Sequence, residues 1–354
     1  MSPVFDHPWL GALFGDAEVA ALWSAEAQLA HYIRFETALA HALDAAGLVA
    51  PGSGSRVGEV LAAVDLDPTA LAAATARDGL PIPELVRTLR AAVGADLADA
   101  VHTGATSQDV LDTALSLTLR AQSDLFVARL RALDAQLAEL SATQGDRALM
   151  GRTRMQAALP IRVRDRVEAW RRPLIDLAEE LLARRDRVAR LQLGGAVGTR
   201  ASFGAAGHMV AAEMARRLDL SDGPCWHSDR GAVADHGALL SRIGGALGKM
   251  GQDIALMAQQ GVDAISLSGG GGSSAMPHKS NPVLAELLVT LARYDAGQLS
   301  GLHHALVHEQ ERSGAAWMLE WMILPQMSVA TGRALGAAQE LLTRIETIGD
   351  AAAG

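Results

Sequence analysis

The sequence is poor in the residues that mark several large classes of protein. Cys225 is the one cysteine in 354 residues, which excludes an intramolecular disulfide framework and is typical of a reducing compartment. Lysine occurs at Lys249 and Lys279 alone, and with a net charge of −9 and no basic block we expect no nucleic-acid partner. There is no basic leader followed by an apolar stretch and no apolar run of about 18 residues, so we expect neither a signal peptide nor a membrane contact. These absences predict a soluble, cytoplasmic protein.

Aromatic residues are also scarce, at 4%, and alanine is frequent, which predicts a mostly helical chain. Apolar residues recur at helical spacing in long stretches, separated by short segments rich in Gly, Ser, Thr and Pro. The predicted helices cover 20–48, 111–140, 161–190, 235–262 and 282–305. The stretch 111–140 alone would span roughly 45 Å as a helix. Helices of this length are typical of bundles, so we expect an all-α fold.

The chain divides where short helices broken by proline give way to long ones. We predict an N-terminal helical domain over 1–105, a central long-helix bundle over 106–345 and a short tail over 346–354.

The segment 269–282 is the most informative part of the sequence. Four glycines precede Ser273 and Ser274, and Lys279 and Asn281 follow just before a proline that suits the first turn of a helix. Hydroxyls, one cation and an amide on a glycine-rich flap can bind a carboxylate and act as acid or base at carbon. A glycine-serine linker is the alternative, but a linker has no need of Met-Pro-x-Lys-x-Asn at the entrance of a helix.

This segment resembles the signature of the fumarase/aspartase superfamily, Gly-Ser-Ser-x-Met-Pro-x-Lys-x-Asn, with every fixed position filled over 272–281. Two further segments resemble superfamily regions in the expected order: His102-Thr-Gly-Ala-Thr-Ser-Gln-Asp109 and Gly151-Arg-Thr-Arg-Met-Gln156. Residues 194–199 and Glu311-Arg312 also match, so the resemblance covers about residues 20 to 345. Ser280 departs from the pattern, since this position is often arginine.

The resemblance implies a fumarase/aspartase-like fold whose central bundle forms a homotetramer, with active sites shared between chains. It implies β-elimination or its reverse without a cofactor or metal, through an aci-carboxylate carbanion. It assigns Ser273, Arg154 and Lys279 to catalysis, with Ser273 moving the proton at carbon. It assigns substrate binding to His102, Thr106, Ser107, Ser274, Asn281, Arg312 and Gln156.

Several of these residues also have a plainer interpretation. Thr106 and Ser107 precede a predicted helix, where they could bind an anion or act as an ordinary helix cap. His304 and His308 are one helical turn apart, but no third ligand is evident, so packing or substrate contact is favoured over a metal. The glycine-rich segment 194–204 lacks the spacing of a dinucleotide fingerprint. A run of arginines at 162, 164 and 166 is best interpreted as a solvated helix face.

Arg154 is the informative departure, because many superfamily lyases have histidine at this position to serve the leaving group as an acid. Arginine has a pKa above about 12 and cannot donate a proton near neutral pH. It suits a carboxylate that leaves or attacks as a stable anion. The 3-carboxy-cis,cis-muconate cycloisomerase family has this property, and the chain resembles that family again at 308–321, with Trp317 and Trp321, and at Trp226-His227. A small tricarboxylate is the substrate that this resemblance implies.

Two other functions remain open from the sequence. A lyase acting on adenylosuccinate, argininosuccinate or a similar adduct would share the flap, but 79–84 lacks the histidine that adenylosuccinate lyases carry there. A non-catalytic helical scaffold would share the fold, although the intact signature argues against it. Superfamily members usually carry a further helical domain after the bundle, and we expect this chain to lack it.

Overall fold

The computed structural model describes residues 4–272, 276 and 280–350. Helices dominate the described part of the chain. They are α1 Gly11–Phe14, α2 Ala17–Leu22, α3 Ala25–Ala45, α4 Ser53–Leu61, α5 Pro68–Asp78, α6 Ile82–Val93, α7 Ser107–Gln144, α8 Val163–Val188, α9 Gly207–Leu218, α10 Gly231–Met257, α11 Val283–His304 and α12 Ala315–Thr343, with short 3-10 turns at Ala98–Ala100 and Ala201–Ala206. No helix among these is long and apolar enough to cross a membrane.

The helix α7 is the longest helix in the described part of the chain. It contains 38 residues and begins after Thr106, whose backbone N–H donates to the Asp109 carboxylate at 3.0 Å. This bond satisfies a donor that the first turn would otherwise leave free. Leu119, Phe126 and Leu130 lie on the buried face of α7. At 1.5 Å per residue α7 is about 57 Å long, so the helix predicted at 111–140 is confirmed and extends further at both ends.

The other predicted long helices are confirmed as α8, α10 and α11, each within a few residues of its predicted bounds. The helix predicted over 20–48 is wrong in one respect, because the chain breaks at Trp23 and forms α2 and α3 instead. Ser24 explains the break, since its hydroxyl accepts the Ala27 backbone N–H at 3.1 Å and caps α3. A serine inside an apolar stripe therefore started a new helix.

Two small antiparallel sheets accompany the helices. Strands β1 (Ala148–Thr153) and β2 (Gln156–Arg162) form a hairpin between α7 and α8, and β3 (Ile265–Leu267) pairs with β4 (Ile345–Ile348). The all-α fold class is confirmed, with these sheets as local additions. Both sheets lie at the end of the bundle where α7 finishes, because the Ile348 backbone N–H donates to Gln144 at 3.0 Å and the Asp350 N–H donates to Ala148 at 2.8 Å.

Buried side chains form two clusters. The larger cluster runs along α7, α8, α10, α11 and α12 and includes Trp170 at 1% exposure. The smaller cluster joins α3, α4 and α6 to α9 and to the start of α7. The segment 189–220 thus packs with the N-terminal helices, although it follows them by about 100 residues in the chain. The division at residue 105 stays a prediction.

The bundle has two ends that carry different loops. We call the end where α7 begins the Thr106 end and the opposite one the hairpin end. Helices α10 and α7 start together at the Thr106 end, where Arg230 contacts Asp112, and α12 also starts there, where Trp317 contacts Asp112. Helix α11 runs the other way, since Ala285 at its start packs on Gly251 near the end of α10.

Candidate active site

The loop before α7 is fixed by a buried acid. The His102 backbone is left-handed, with φ 58°, and its N–H donates to Glu36 at 2.9 Å. The His102 ring lies 2.7 Å from the other Glu36 oxygen through Nδ1, and Glu36 is fully buried. Two bonds to one carboxylate hold a conformation that non-glycine residues rarely adopt. His102 therefore shapes the loop that leads to Thr106 and Ser107.

Asp109 joins three segments at the Thr106 end. Its carboxylate is fully buried and accepts backbone N–H groups from Thr106 at 3.0 Å, Gly194 at 2.8 Å and Gly195 at 2.9 Å. The His227 Nε2 completes the set at 2.8 Å from Asp109 Oδ1. A buried carboxylate with this many donors is stable and geometrically fixed. Asp109 thus holds the Gly194 loop against the start of α7.

Arg312 contacts the solvent-facing side of the loop that Asp109 holds. It lies on the exposed loop between α11 and α12, and its guanidinium donates to the Ala196 carbonyl at 3.1 Å and to the Gly195 carbonyl at 3.4 Å. The loop that Asp109 anchors through its N–H groups therefore positions Arg312 through its carbonyl groups. Arg312, Thr106 and Ser107 come from distant parts of the sequence and share one end of the bundle.

Beneath these loops lies a buried ionic network. The Arg230 guanidinium is 2% exposed and binds Asp112 at 2.8 and 3.1 Å and Glu320 at 2.9 and 2.5 Å. The indole N–H of Trp317 donates to Asp112 at 3.1 Å, and the side chains of Gln108 and Gln192 each donate to Asp112 at 3.1 Å. Burial favours the neutral form of Glu320 and raises its pKa, although Arg230 opposes this.

The pKa of His227 is shifted strongly. Burial works against the charged ring, but the hydrogen bond to Asp109, the neighbouring Cys225 thiol and the Asp109 charge outweigh it and raise the pKa to about 9. The ring is therefore charged at neutral pH, beside a carboxylate that bears the opposite charge.

The hairpin end presents Arg154. Thr153 pairs with Gln156 across the hairpin, which leaves Arg154 and Met155 as a two-residue turn with φ 48° and 67°. Such turns favour Asn-Gly, because both residues are left-handed. Arg154 is exposed, and it makes no ion pair with any residue that the structure describes. The turn thus accepts backbone strain and projects a free cation at its tip.

A cavity of about 290 Å³ lies beside the hairpin. Arg152, Arg154 and Arg166 line it together with Asp253, Asp350 and several apolar side chains. The other arginines of the 162–166 run lie on the surface, where Arg164 forms an ion pair with Asp146 and Arg162 donates to the Asp146 carbonyl at 2.6 Å. The solvated-face interpretation holds for these two, whereas Arg166 adds positive charge to the cavity.

The flap begins and ends at the hairpin end. Gly271 and Asn281 form an antiparallel bridge with two backbone hydrogen bonds of 2.9 Å, so the base of the flap is closed. Arg344 at the end of α12 donates to the Gly269 carbonyl at 2.8 Å and fixes this base. Ser273, Ser274 and Lys279 lie outside the described residues.

The structure therefore divides the predicted site residues between two ends. His102, Thr106, Ser107 and Arg312 lie at the Thr106 end, and Arg154, Gln156 and Asn281 lie at the hairpin end. The helix α7, about 57 Å long, runs from one group to the other within one chain.

The buried partners were not predicted as site residues. Asp112 and Arg230 are 118 residues apart in sequence, and Arg230 and Glu320 are 90 apart, so no local spacing pairs them. The first turns of α7 bury Gln108, Asp109, Asp112 and Thr113 together, so no apolar pattern in the sequence marked the two carboxylates as buried.

Comparison with known proteins agrees with this architecture. The family model described as Lyase matches residues 29–294. The chain belongs to this lyase family. The lyase is 35% identical to the 3-carboxy-cis,cis-muconate cycloisomerase of Pseudomonas aeruginosa, over 98% of this chain and 77% of that protein. It is 33% identical to the nitrosuccinate lyase of Streptomyces davaonensis, over 99% of this chain and 77% of that protein.

A solved structure gives the same result. The 3-carboxy-cis,cis-muconate lactonizing enzyme of Pseudomonas putida superposes on the lyase with a TM-score of 0.89 and 33% identity, covering 96% of this chain and 77% of that chain. The membership of the fumarase/aspartase superfamily that the signature predicted is thus confirmed, as is the resemblance to the cycloisomerases.

The shifted pKa of His227 predicts a pH-dependent stability. Its charged form is favoured in the folded lyase, so its contribution is complete below pH 6.5 and is lost as pH rises through about 9. The contribution is at most about 3 kcal/mol. We expect urea unfolding followed by circular dichroism to show a free energy of unfolding that falls over this interval.

The variant His227→Asn should flatten this fall. Subtracting the variant's free energy of unfolding from that of the wild type at each pH cancels the contributions of other titrating groups. Asp295 is one of these, since burial raises its pKa to about 8. The exposed His208 provides a matched control, since His208→Asn should leave the slope unchanged. Equal slopes in the wild type and His227→Asn would contradict the assigned charge.

The buried network predicts a large cost for removing one member. Asp112→Ala takes away the acceptor of Arg230, Trp317 and two amide side chains, and we expect the free energy of unfolding to fall by about 3–5 kcal/mol. Asp146→Ala is the matched control, because the Asp146 side chain is 90% exposed and should cost about 0–1 kcal/mol. Equal losses in chemical denaturation would show that the network does not stabilise the fold.

Proposed function

We propose that the lyase interconverts 3-carboxy-cis,cis-muconate and its γ-lactone, 4-carboxymuconolactone, without a cofactor and through an aci-carboxylate intermediate. The observation that carries this proposal is Arg154, a cation held at the tip of a strained turn with no acidic partner in the described chain. A guanidinium binds a carboxylate through two parallel hydrogen bonds and remains charged. A carboxylate that adds to an alkene or leaves from a lactone needs this stabilisation and needs no proton.

The rest of the mechanism uses both ends of the bundle. In the lactonising direction a carboxylate oxygen forms a bond to the alkene, and charge moves to an enolate-like carboxylate. The hydroxyls of Thr106 and Ser107 and the Ser107 N–H, at the start of α7, are suited to hold that charge. Lys279 and Asn281 would add a cation and an amide from the flap. Ser273 would protonate the carbon and act as base in the reverse direction, once the flap has excluded water.

A tricarboxylate needs further cations for the groups that do not react. Arg312 stands at the Thr106 end, held by the carbonyls of Gly195 and Ala196. His102, Ser274 and Gln156 are the remaining proposed contacts. The protein carries a net charge of −9, so such a substrate depends on these locally placed arginines. We place this reaction in the cytoplasm, in keeping with the single cysteine.

We further propose a homotetramer whose active sites are shared between chains. The supporting observation is the length of α7, because this helix of about 57 Å runs from the end that carries Thr106 and Arg312 to the end that carries Arg154 and Asn281. A substrate of a few ångströms cannot contact both groups unless a second chain supplies one of them. In an assembly with closed symmetry, every active site would be formed in the same way, from the Thr106 end of one chain and the hairpin end of another.

A second candidate reaction has one observation in its favour. Elimination from nitrosuccinate would release nitrite, which is also a stable anion, and a nitrosuccinate lyase shares 33% identity with the chain. Arg154 alone does not separate the two substrates. The number of carboxylates does, because the muconate carries three and nitrosuccinate two. Lyases that expel an amine or hydroxide fit less well, since arginine cannot protonate their leaving group.

We expect purified protein to consume 3-carboxy-cis,cis-muconate, measured as loss of the absorbance of the conjugated diene. Ser273→Ala should abolish the loss, and Arg154→Met should lower kcat/KM by at least about a hundredfold, because one charge-assisted pair is removed. Arg131→Met is the control, because Arg131 is exposed on α7 and lies outside the proposed site.

Nitrosuccinate, adenylosuccinate, argininosuccinate and fumarate are assayed in parallel as alternative substrates. Turnover of one of these alone would replace the proposed substrate, and silence with all five would favour a scaffold.

Mixing inactive variants tests the shared site. Arg312→Ala damages the Thr106 end and Arg154→Met the hairpin end, so unfolding and refolding an equal mixture should restore about a quarter of wild-type activity. Thr106→Ala with Arg312→Ala is the matched control, since both lie at the same end and every mixed site stays damaged. No recovery from the first mixture, with the wild type recovering fully, would place the whole site within one chain.

A further inference from the structure

The single cysteine lies beside a buried histidine that the proposed reaction does not use. A Cβ added to Gly194 would clash with the Cys225 sulfur and lie 2.9 Å from His227 Cε1, so these two side chains meet at one point of the loop. Cys225 is half-buried, whereas His227 is 2% exposed. The sulfur thus belongs to a residue that retains some solvent exposure, and it lies next to the imidazole.

The imidazole has one strong acceptor. Its Nε2 lies 2.8 Å from the buried Asp109 carboxylate, while the buried Nδ1 meets no oxygen or nitrogen acceptor among the described residues and has the Cys225 sulfur as its neighbour. A buried N–H without an acceptor is costly. The neighbouring sulfur can remove that cost as a thiolate, because it then accepts from Nδ1 and is paired with a charged ring.

We propose that Cys225, His227 and Asp109 form an activated thiol, and that Cys225 is a modification site for small α,β-unsaturated carbonyl compounds. The order of the groups, sulfur to imidazole to carboxylate, is the order that activates a nucleophile in thiol hydrolases. The sulfur of the thiolate forms a bond to the β-carbon, the electron pair moves to the α-carbon, and the α-carbon takes the proton from His227. The addition therefore needs no other reactant.

Modification at this position acts on the candidate active site. The sulfur packs against Gly194, and a Cβ on Gly198 would lie 3.3 Å from it, so the loop leaves little room for an adduct. Gly194 and Gly195 donate to Asp109, and Gly195 also accepts from Arg312. An adduct on Cys225 would disturb this loop and, through it, the position of Arg312. This consequence rests on the proposed function, whereas the reactivity of the thiol does not.

The test is the rate at which acrylamide labels the protein, followed by intact-mass spectrometry. An isolated thiol with a pKa near 8.5 is only a few per cent thiolate at neutral pH. We expect Cys225 to react about tenfold faster than free cysteine at neutral pH. His227→Asn should remove the advantage, and His208→Asn, at an exposed position, should keep it. Labelled enzyme should lose muconate turnover, while Cys225→Ser should retain turnover after the same treatment.

The outcomes that overturn the proposal are equally direct. A labelling rate no faster than that of free cysteine would show an ordinary or shielded thiol. An unchanged rate in His227→Asn would also overturn it, and the rate of the wild type relative to free cysteine decides the question if that variant does not fold. Fast labelling in a protein with no muconate turnover would support the thiol and refute only the proposed reaction.

Discussion

The carboxylate of Asp109 is the interaction on which the Thr106 end depends. It lies in the first turn of α7 and accepts hydrogen bonds from Thr106, Gly194, Gly195 and His227. Three segments that are distant in sequence are thereby fixed to one pair of oxygens. The Gly194 loop in turn positions Arg312, because its carbonyl groups accept hydrogen bonds from the Arg312 guanidinium. A buried charge whose hydrogen bonds are all made has one favourable arrangement. The bonds to Asp109 therefore fix the relative positions of the segments at this end.

The second constraint is the stiffness and length of the bundle. Every backbone bond inside α7 is made within the helix, so the helix cannot fold back to bring its ends together. The candidate residues at the two ends belong to one reaction only if chains associate. Oligomerisation would then be a requirement of the chemistry, in addition to burying the apolar faces of long helices.

Backbone strain marks both ends. His102 at one end and Arg154 with Met155 at the other have positive φ values of 58°, 48° and 67°, although none is glycine. Each such residue costs free energy, which the surrounding bonds must offset. At His102 the offset is visible, since Glu36 accepts both its backbone N–H and its ring. At the hairpin the paired strands impose the turn. In both places local preference yields to the placement of a side chain, which is common at functional sites.

Much of this protein was determined by the sequence alone, because helical periodicity and the flap signature are local properties. The long helices, the all-α class, the superfamily and the charge at Arg154 could all be predicted from neighbouring residues. The break at Ser24 was missed because one capping hydroxyl outweighed an apolar stripe. Only the tertiary structure decided that Asp112 meets Arg230 and Glu320, that Cys225 lies beside His227, and that the candidate residues occupy opposite ends. These facts depend on which distant segments pack together, and the spacing of residues along the chain does not encode that choice.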